Sequence, residues 1–99
     1  MSKTDVIARR VLGWKLNSVN TWFDRENKVF VEDFQPEKNM EHALLIVDRL
    51  EKFGFTYEVK GDYEVYFNHV SGTGNTLAEA ITNAAYALAE VNTIHDAWL

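Results

Sequence analysis

Cysteine is absent from this 99-residue sequence, and proline occurs once, at Pro36. Without cysteine there can be no disulfide staple, thiolate zinc site or cysteine nucleophile, which fits a reducing cytoplasm. Positive charge is also scarce: 10 basic residues face 15 acidic ones, a net charge of -5. Proteins that hold DNA or RNA non-specifically need a basic footprint, so no nucleic-acid partner is expected. No stretch approaches the ~20 apolar residues that span a bilayer, so no membrane role is expected either. The opening MSKTDVIARR lacks the apolar run of a signal peptide. Internal repeats, low-complexity tracts and Pro/Gly/Ser linkers are missing as well. The expected location is cytoplasmic.

What is present is hydrophobic. The chain is 46% apolar and 13% aromatic, which places it among globular chains and not disordered ones. Its length suits one domain over residues 1–99, since either half alone would be too small for a core.

The first expected helix runs from Asp5 to about Leu12, capped by Thr4, with Asp5 at its positive end and Arg9 and Arg10 at its negative end. Gly13 is placed to end it. Thr21-Trp22-Phe23 and Val29-Phe30-Val31 read as two short strands around a polar loop, residues 24–28. Asn39 is placed to cap a second helix, Met40 to Phe53. Its apolar face is Met40, Ala43, Leu44, Val47 and Leu50, and Gly54 is its left-handed stop. The clearest alternation follows. Phe55, Tyr57 and Val59, then Tyr63, Val65 and Phe67, point one way on a hairpin turning at Gly61-Asp62. Tyr66 is the apolar exception on the other face, which suggests that this face is covered too.

Thr76 and Glu79 match the Thr-x-x-Glu capping box of a last helix, Leu77 to about Val91. Leu77, Ile81, Ala84, Leu88 and Val91 form its buried stripe, and further alanines widen it into a smooth surface that allows close approach of a sheet or helix. The tail 92–99 carries Ile94, Trp98 and Leu99, large apolar groups expected to fold back or to meet a second copy. The resulting order is α-β-β-α-β-β-α. It predicts an α+β fold: an α-β-α sandwich with helices on both sides of one antiparallel four-stranded sheet.

Few residues suggest a site. Ser71-Gly72-Thr73-Gly74-Asn75-Thr76 precedes a helix N-terminus, where backbone N–H groups attract anions. It lacks the lysine of a P-loop and the spacing of a dinucleotide fingerprint, and the capping box occupies some of the donors itself. A flexible turn before a capped helix is therefore favoured over a phosphate site. If an anion binds there, Thr73, Asn75 and Thr76 are the local donors, with charge from Lys60. Arg9 and Arg10 suit a phosphate or carboxylate, but serve equally as the helix's dipole complement. Trp22, Tyr66, Tyr86 and Trp98 are the aromatics expected to be partly exposed, able to stack a nucleobase or line a protein contact. His42, His69 and His95 have no metal-ligand spacing, so no metal and no cofactor are expected. Glu41 or Glu64 with His42 or His69 are the only ingredients for a small hydrolase, and nothing in the spacing joins them. No catalytic residue is assigned.

Several blocks are shared, in order, with one known family. They are Val11-Leu12-Gly13-Trp14-Lys15, the run Phe34-Gln35-Pro36-Glu37-Lys38-Asn39-Met40-Glu41-His42-Ala43, then Leu50-Glu51-Lys52-Phe53-Gly54-Phe55 and the Ala-rich helix after Thr76. On these the chain resembles the phage ABA sandwich domain (BC1872-like) family of small bacteriophage and prophage proteins, over about Asp5 to Val91. Phe34 stands where the family pattern has a Trp-like aromatic, and the tail 92–99 lies beyond it. The resemblance implies an α-β-α sandwich, a setting inside a bacterial cell, and no catalytic residues. It suggests a small accessory protein acting by binding, which sequesters a nucleotide-like signal of host defence or blocks a host protein. A structural, virion-associated role is the further alternative. A homo-oligomer is expected for the binding protein.

Overall fold

The structure is a computed structural model that describes residues 2–17, 19, 21–24 and 27–91. The expectations placed on Trp98, on the tail and on the Val91 side chain lie outside the described residues. The chain is α+β, with three helices and two three-stranded antiparallel sheets among the described residues. It alternates helix, three strands, helix, three strands, helix.

The first helix starts earlier than predicted. α1 is Lys3–Val6, and its cap is Ser2, whose hydroxyl accepts the Asp5 N–H, not Thr4. It continues as one π-helical turn, Ile7–Val11. The wider turn brings Ile7, Ala8, Val11 and Leu12 all into the core and leaves Arg9 exposed. Gly13 ends it at φ +71, and the Trp14 N–H reaches back to the Ala8 carbonyl, as in a Schellman stop.

The first sheet is β1 Lys15–Leu16, β2 Trp22–Asp24 and β3 Val29–Val31, in that spatial order. The two predicted strands pair as Trp22 with Val31, Phe23 with Phe30 and Asp24 with Val29, and β1 is an addition. Trp22 and Asp24 face the interior, while Phe23 and Phe30 meet on the opposite face with ring centroids 5.1 Å apart. α2, Met40–Lys52, has the predicted cap: the Asn39 side-chain Oδ1 accepts the Glu41 and His42 N–H groups. Its buried residues are Ala43, Ile46, Val47 and Leu50. Leu44, expected inside, is 48% exposed, because the buried stripe is turned toward Ile46, on the far side of Ala43 and Val47 from Leu44.

The second sheet is β4 Tyr57–Lys60, β5 Glu64–Phe67 and β6 Val70–Thr73. β4 and β5 form the predicted hairpin, but its turn takes three residues, Gly61 to Tyr63. Tyr63 sits in that turn at φ +60 and is exposed, not inward. β6 overturns the reading of Ser71 to Thr73 as a flexible turn: Val70 pairs with Phe67, Gly72 with Val65 and Thr73 with Glu64. α3, Leu77–Val91, then packs along β5 and β6. Val65 and Phe67 from the sheet and Ile81, Ala84 and Leu88 from α3 are fully or almost fully buried between them. α2 and the π turn close the other side of α3.

The predicted single four-stranded sheet is thus replaced by two separate sheets of three. The predicted cover on the second sheet's far face is also absent from the described elements: Glu58, Lys60, Ser71 and Thr73 there are exposed. β4 is an edge strand rich in charge, and its Glu58 and Lys60 would have to be desolvated under a helix.

Candidate functional site

Strand alternation builds the open face of the second sheet. Burying Val65 and Phe67 of β5 forces Glu64 and Tyr66 outward. Register then aligns two cross-strand rows on this face. One is Lys60, Glu64 and Thr73; the other is Glu58, Tyr66 and Ser71. The Lys60 ammonium lies 4.7 Å from the centroid of the Tyr66 ring, a cation–π distance. It also stands 3.9 Å from the Glu58 carboxylate, with both side chains more than half exposed, so this ion pair is weak. A half-buried aromatic ring, one ammonium and the Ser71 and Thr73 hydroxyls therefore share one flat surface. A ring can stack a planar ligand, and an ammonium with hydroxyl donors can hold an anion.

The stretch before α3 is the end of β6 followed by a capping loop. A Cβ on Gly72 would lie 2.2 Å from the Ala84 nitrogen, and one on Gly74 would lie 2.8 Å from the Ala80 nitrogen. These glycines exist to let a strand and a loop touch helix backbone. Half of the capping box closes as predicted, the Thr76 hydroxyl accepting the Glu79 N–H at 3.1 Å, while the Glu79 carboxylate reaches one residue further back, to the Asn75 N–H at 3.2 Å. Two donors at this helix end are thus spent within the chain. The groove beside it, about 430 Å³ between the loop before α2 and the first turn of α3, is lined by Glu37 and Glu79 as well as Lys38 and Met40.

The remaining candidates sit elsewhere. Trp22 is a core residue, 6% exposed, which corrects its assignment as an exposed ring. The Arg9 guanidinium covers it at 5.2 Å, so Arg9 shields the core edge. Tyr86 on α3 has Lys3 5.9 Å from its ring centroid. Its phenol donates to Glu90, and that hydrogen bond, the Glu90 charge and burial hold the phenol above its ordinary value, with Arg10 acting the other way. His42 is structural: its Nδ1 accepts the Gln35 N–H at 3.0 Å, and its ring lies 5.3 Å from that of Phe34. His69 is in the exposed β5–β6 turn. His95 and Trp98 lie outside the described residues. Of the eight candidates among the described residues, Tyr66 and Thr73 share one face, joined by Lys60; the other six do not converge on it. Ser71 was missed as a neighbour because Gly72 and Gly74 disguised β6 as a turn, whereas Glu58 and Glu64 lie on the hairpin face that the alternation already turned outward.

Among the described residues there is no cluster of three metal-ligating side chains, and no helix long and apolar enough to cross a membrane. Compared with known proteins, residues 5–86 match the model of the phage ABA sandwich domain. No curated protein and no solved structure matches.

Proposed function

We propose, for a chain that belongs to the phage ABA sandwich domain family, a small phage accessory protein that works by binding and not by bond-making. Its ligand is a nucleotide-like signal of host defence, sequestered on the open face of the second sheet in the cytoplasm of the infected bacterium. One observation carries this reading: the Lys60 ammonium over the Tyr66 ring, with Ser71 in the ring's own cross-strand row and Thr73 in the lysine's. In this arrangement a base stacks on the ring while phosphate oxygens take the ammonium and the hydroxyls. Sequestration needs affinity alone, so no acid, base or nucleophile is required of the site.

Thermal unfolding against a panel of cyclic nucleotides and ADP-ribose derivatives tests it. A ligand at a hundredfold excess over Kd stabilises by about 2.7 kcal/mol. The expected result is a shift with one nucleotide class that is lost in Tyr66→Ala. No shift with any nucleotide, or a shift that survives both Tyr66→Ala and Lys60→Ala, defeats the proposal.

A further inference from the structure

The free edge of the first sheet reads the same in both directions. Among the described residues β3 is the outermost strand of its sheet, and it runs Val29-Phe30-Val31 between the turn residue Lys28, at φ +57, and Glu32. A valine stands on each side of a central phenylalanine, and the two ends carry opposite charge. Val29 is 47% and Phe30 64% exposed. Edge strands are usually blunted by an internal charge, a proline or a bulge, because their unpaired backbone groups recruit other strands. β3 is short, at three residues, but it carries none of these within Val29–Val31.

We propose that this edge pairs with β3 of a second copy, antiparallel about a two-fold axis through Phe30. In that register Phe30 stands opposite its own equivalent, and Val29 opposite Val31 of the second copy. Beyond the paired strands, the side chain of Lys28, from the last turn residue at φ +57, faces that of Glu32 of the second copy, and symmetry repeats that pair at the other end. The charges select the arrangement. Parallel pairing sets Lys28 against Lys28, and a two-residue slip sets a charged residue against Phe30. A second copy is the occupant because it brings the same two ends in the order this edge requires. The pairing turns two sheets of three strands into one sheet of six across the axis. On its outer face the Phe23–Phe30 contact of each copy, 5.1 Å between centroids, joins that of the other into one aromatic row. The proposal concerns the first sheet alone and is independent of ligand binding on the second.

Sedimentation velocity of the full chain over a concentration series tests it. Wild type is expected to pass from monomer to dimer. Lys28→Glu alone and Glu32→Lys alone each place like charges together at both ends, and each weakens association by about tenfold. Mixing these two variants in equal amounts restores wild-type association, because every pair across the axis is again of opposite sign. Lys28 and Glu32 are exposed, so unchanged thermal unfolding of each variant shows that folding is intact. A wild type that stays monomeric, single variants that associate as tightly as wild type, or a mixture no tighter than its components overturns the proposal. A dimer indifferent to both charges would place self-association elsewhere on the chain.

Discussion

Gly72 lies directly against the backbone of Ala84, so closely that a methyl group at Gly72 would stand 2.2 Å from the Ala84 nitrogen and 2.7 Å from its Cα. Both partners of this contact are backbone, which cannot swing aside as a side chain can. The Ala-rich face of α3 and the missing side chain of β6 together set the distance between helix and sheet. Gly72→Ala is therefore expected to force β6 away from α3 and open the core around Val65 and Phe67, at a cost of about 3 kcal/mol or more. Urea unfolding followed by circular dichroism measures it. Ser71→Ala, on the same strand but facing solvent, is the control and should stay within about 0.5 kcal/mol of wild type.

How far the fold was readable depended on whether a residue's local and tertiary roles agreed. Asn39, Thr76, Gly13 and Gly54 do one local job each, capping or stopping a helix, and all four act as their residue types predict. The β4–β5 hairpin was legible because Val65 and Phe67 bury while Glu64 and Tyr66 do not. Gly72 was misread because its function is tertiary: glycine in Ser-Gly-Thr-Gly signals a turn unless Ala84 is known to lie above it. Losing β6 cost half of the candidate site, since Ser71 and Thr73 become its neighbours only through that strand's register. Trp22 shows the opposite error. Nothing local reveals that the Arg9 side chain covers a tryptophan from another element.

Asp24 ties the first sheet to α2, and its removal has a defined cost. It is 5% exposed, accepts the Asn27 backbone N–H at 3.2 Å and the Asn27 side-chain amide at 2.8 Å, and so shapes its own hairpin loop. Its charge also acts on Arg49 of α2. Burial pulls that guanidinium below its ordinary value, and Asp24 pushes it back up. Asp24→Ala removes both hydrogen bonds and the compensating charge. Arg49 keeps partial contact with water, so the loss stays below that of a fully buried pair, at about 2 kcal/mol. Chemical unfolding of the single variant checks the size. If Arg49→Met in the Asp24→Ala background restores part of the loss, the charge contact, and not the loop alone, is responsible.

Two tyrosines predict how stability responds to alkali. Burial, aided by the Glu51 charge, raises Tyr57, and the hydrogen bond to Glu90, its charge and burial raise Tyr86 against the pull of Arg10. Their ordinary value is 10.0, the one that applies in the unfolded chain. The folded state holds the phenol proton more tightly, so this contribution is complete below that pH. It is lost as pH rises through the folded values, because the unfolded chain ionises first. Unfolding midpoints between about pH 8 and pH 11 should fall more steeply for wild type than for Tyr57→Phe/Tyr86→Phe, which has no phenol at either position. Equal slopes would show that neither phenol is held in the fold.

The open face of the second sheet makes a prediction that damage cannot imitate. Glu58 and a bound anion compete for the same ammonium, since the carboxylate stands 3.9 Å from Lys60 Nζ. Glu58→Gln removes the competitor and frees Lys60, so calorimetric titration of the nucleotide that stabilises wild type should show tighter binding, by a factor of about 2 to 5. Tyr66→Ala removes the stacking ring and should weaken binding by about 1 to 3 kcal/mol, while Tyr66→Phe keeps most of it. Lys60→Ala should flatten the dependence of affinity on salt, because the lost contact is the screened one. Each of these side chains has its outer end in solvent, so the variants should unfold near the wild-type midpoint. A loss in Tyr66→Ala with no gain in Glu58→Gln would mean that the ring is used but the ammonium is not, and that the ligand is planar and uncharged where it meets Lys60.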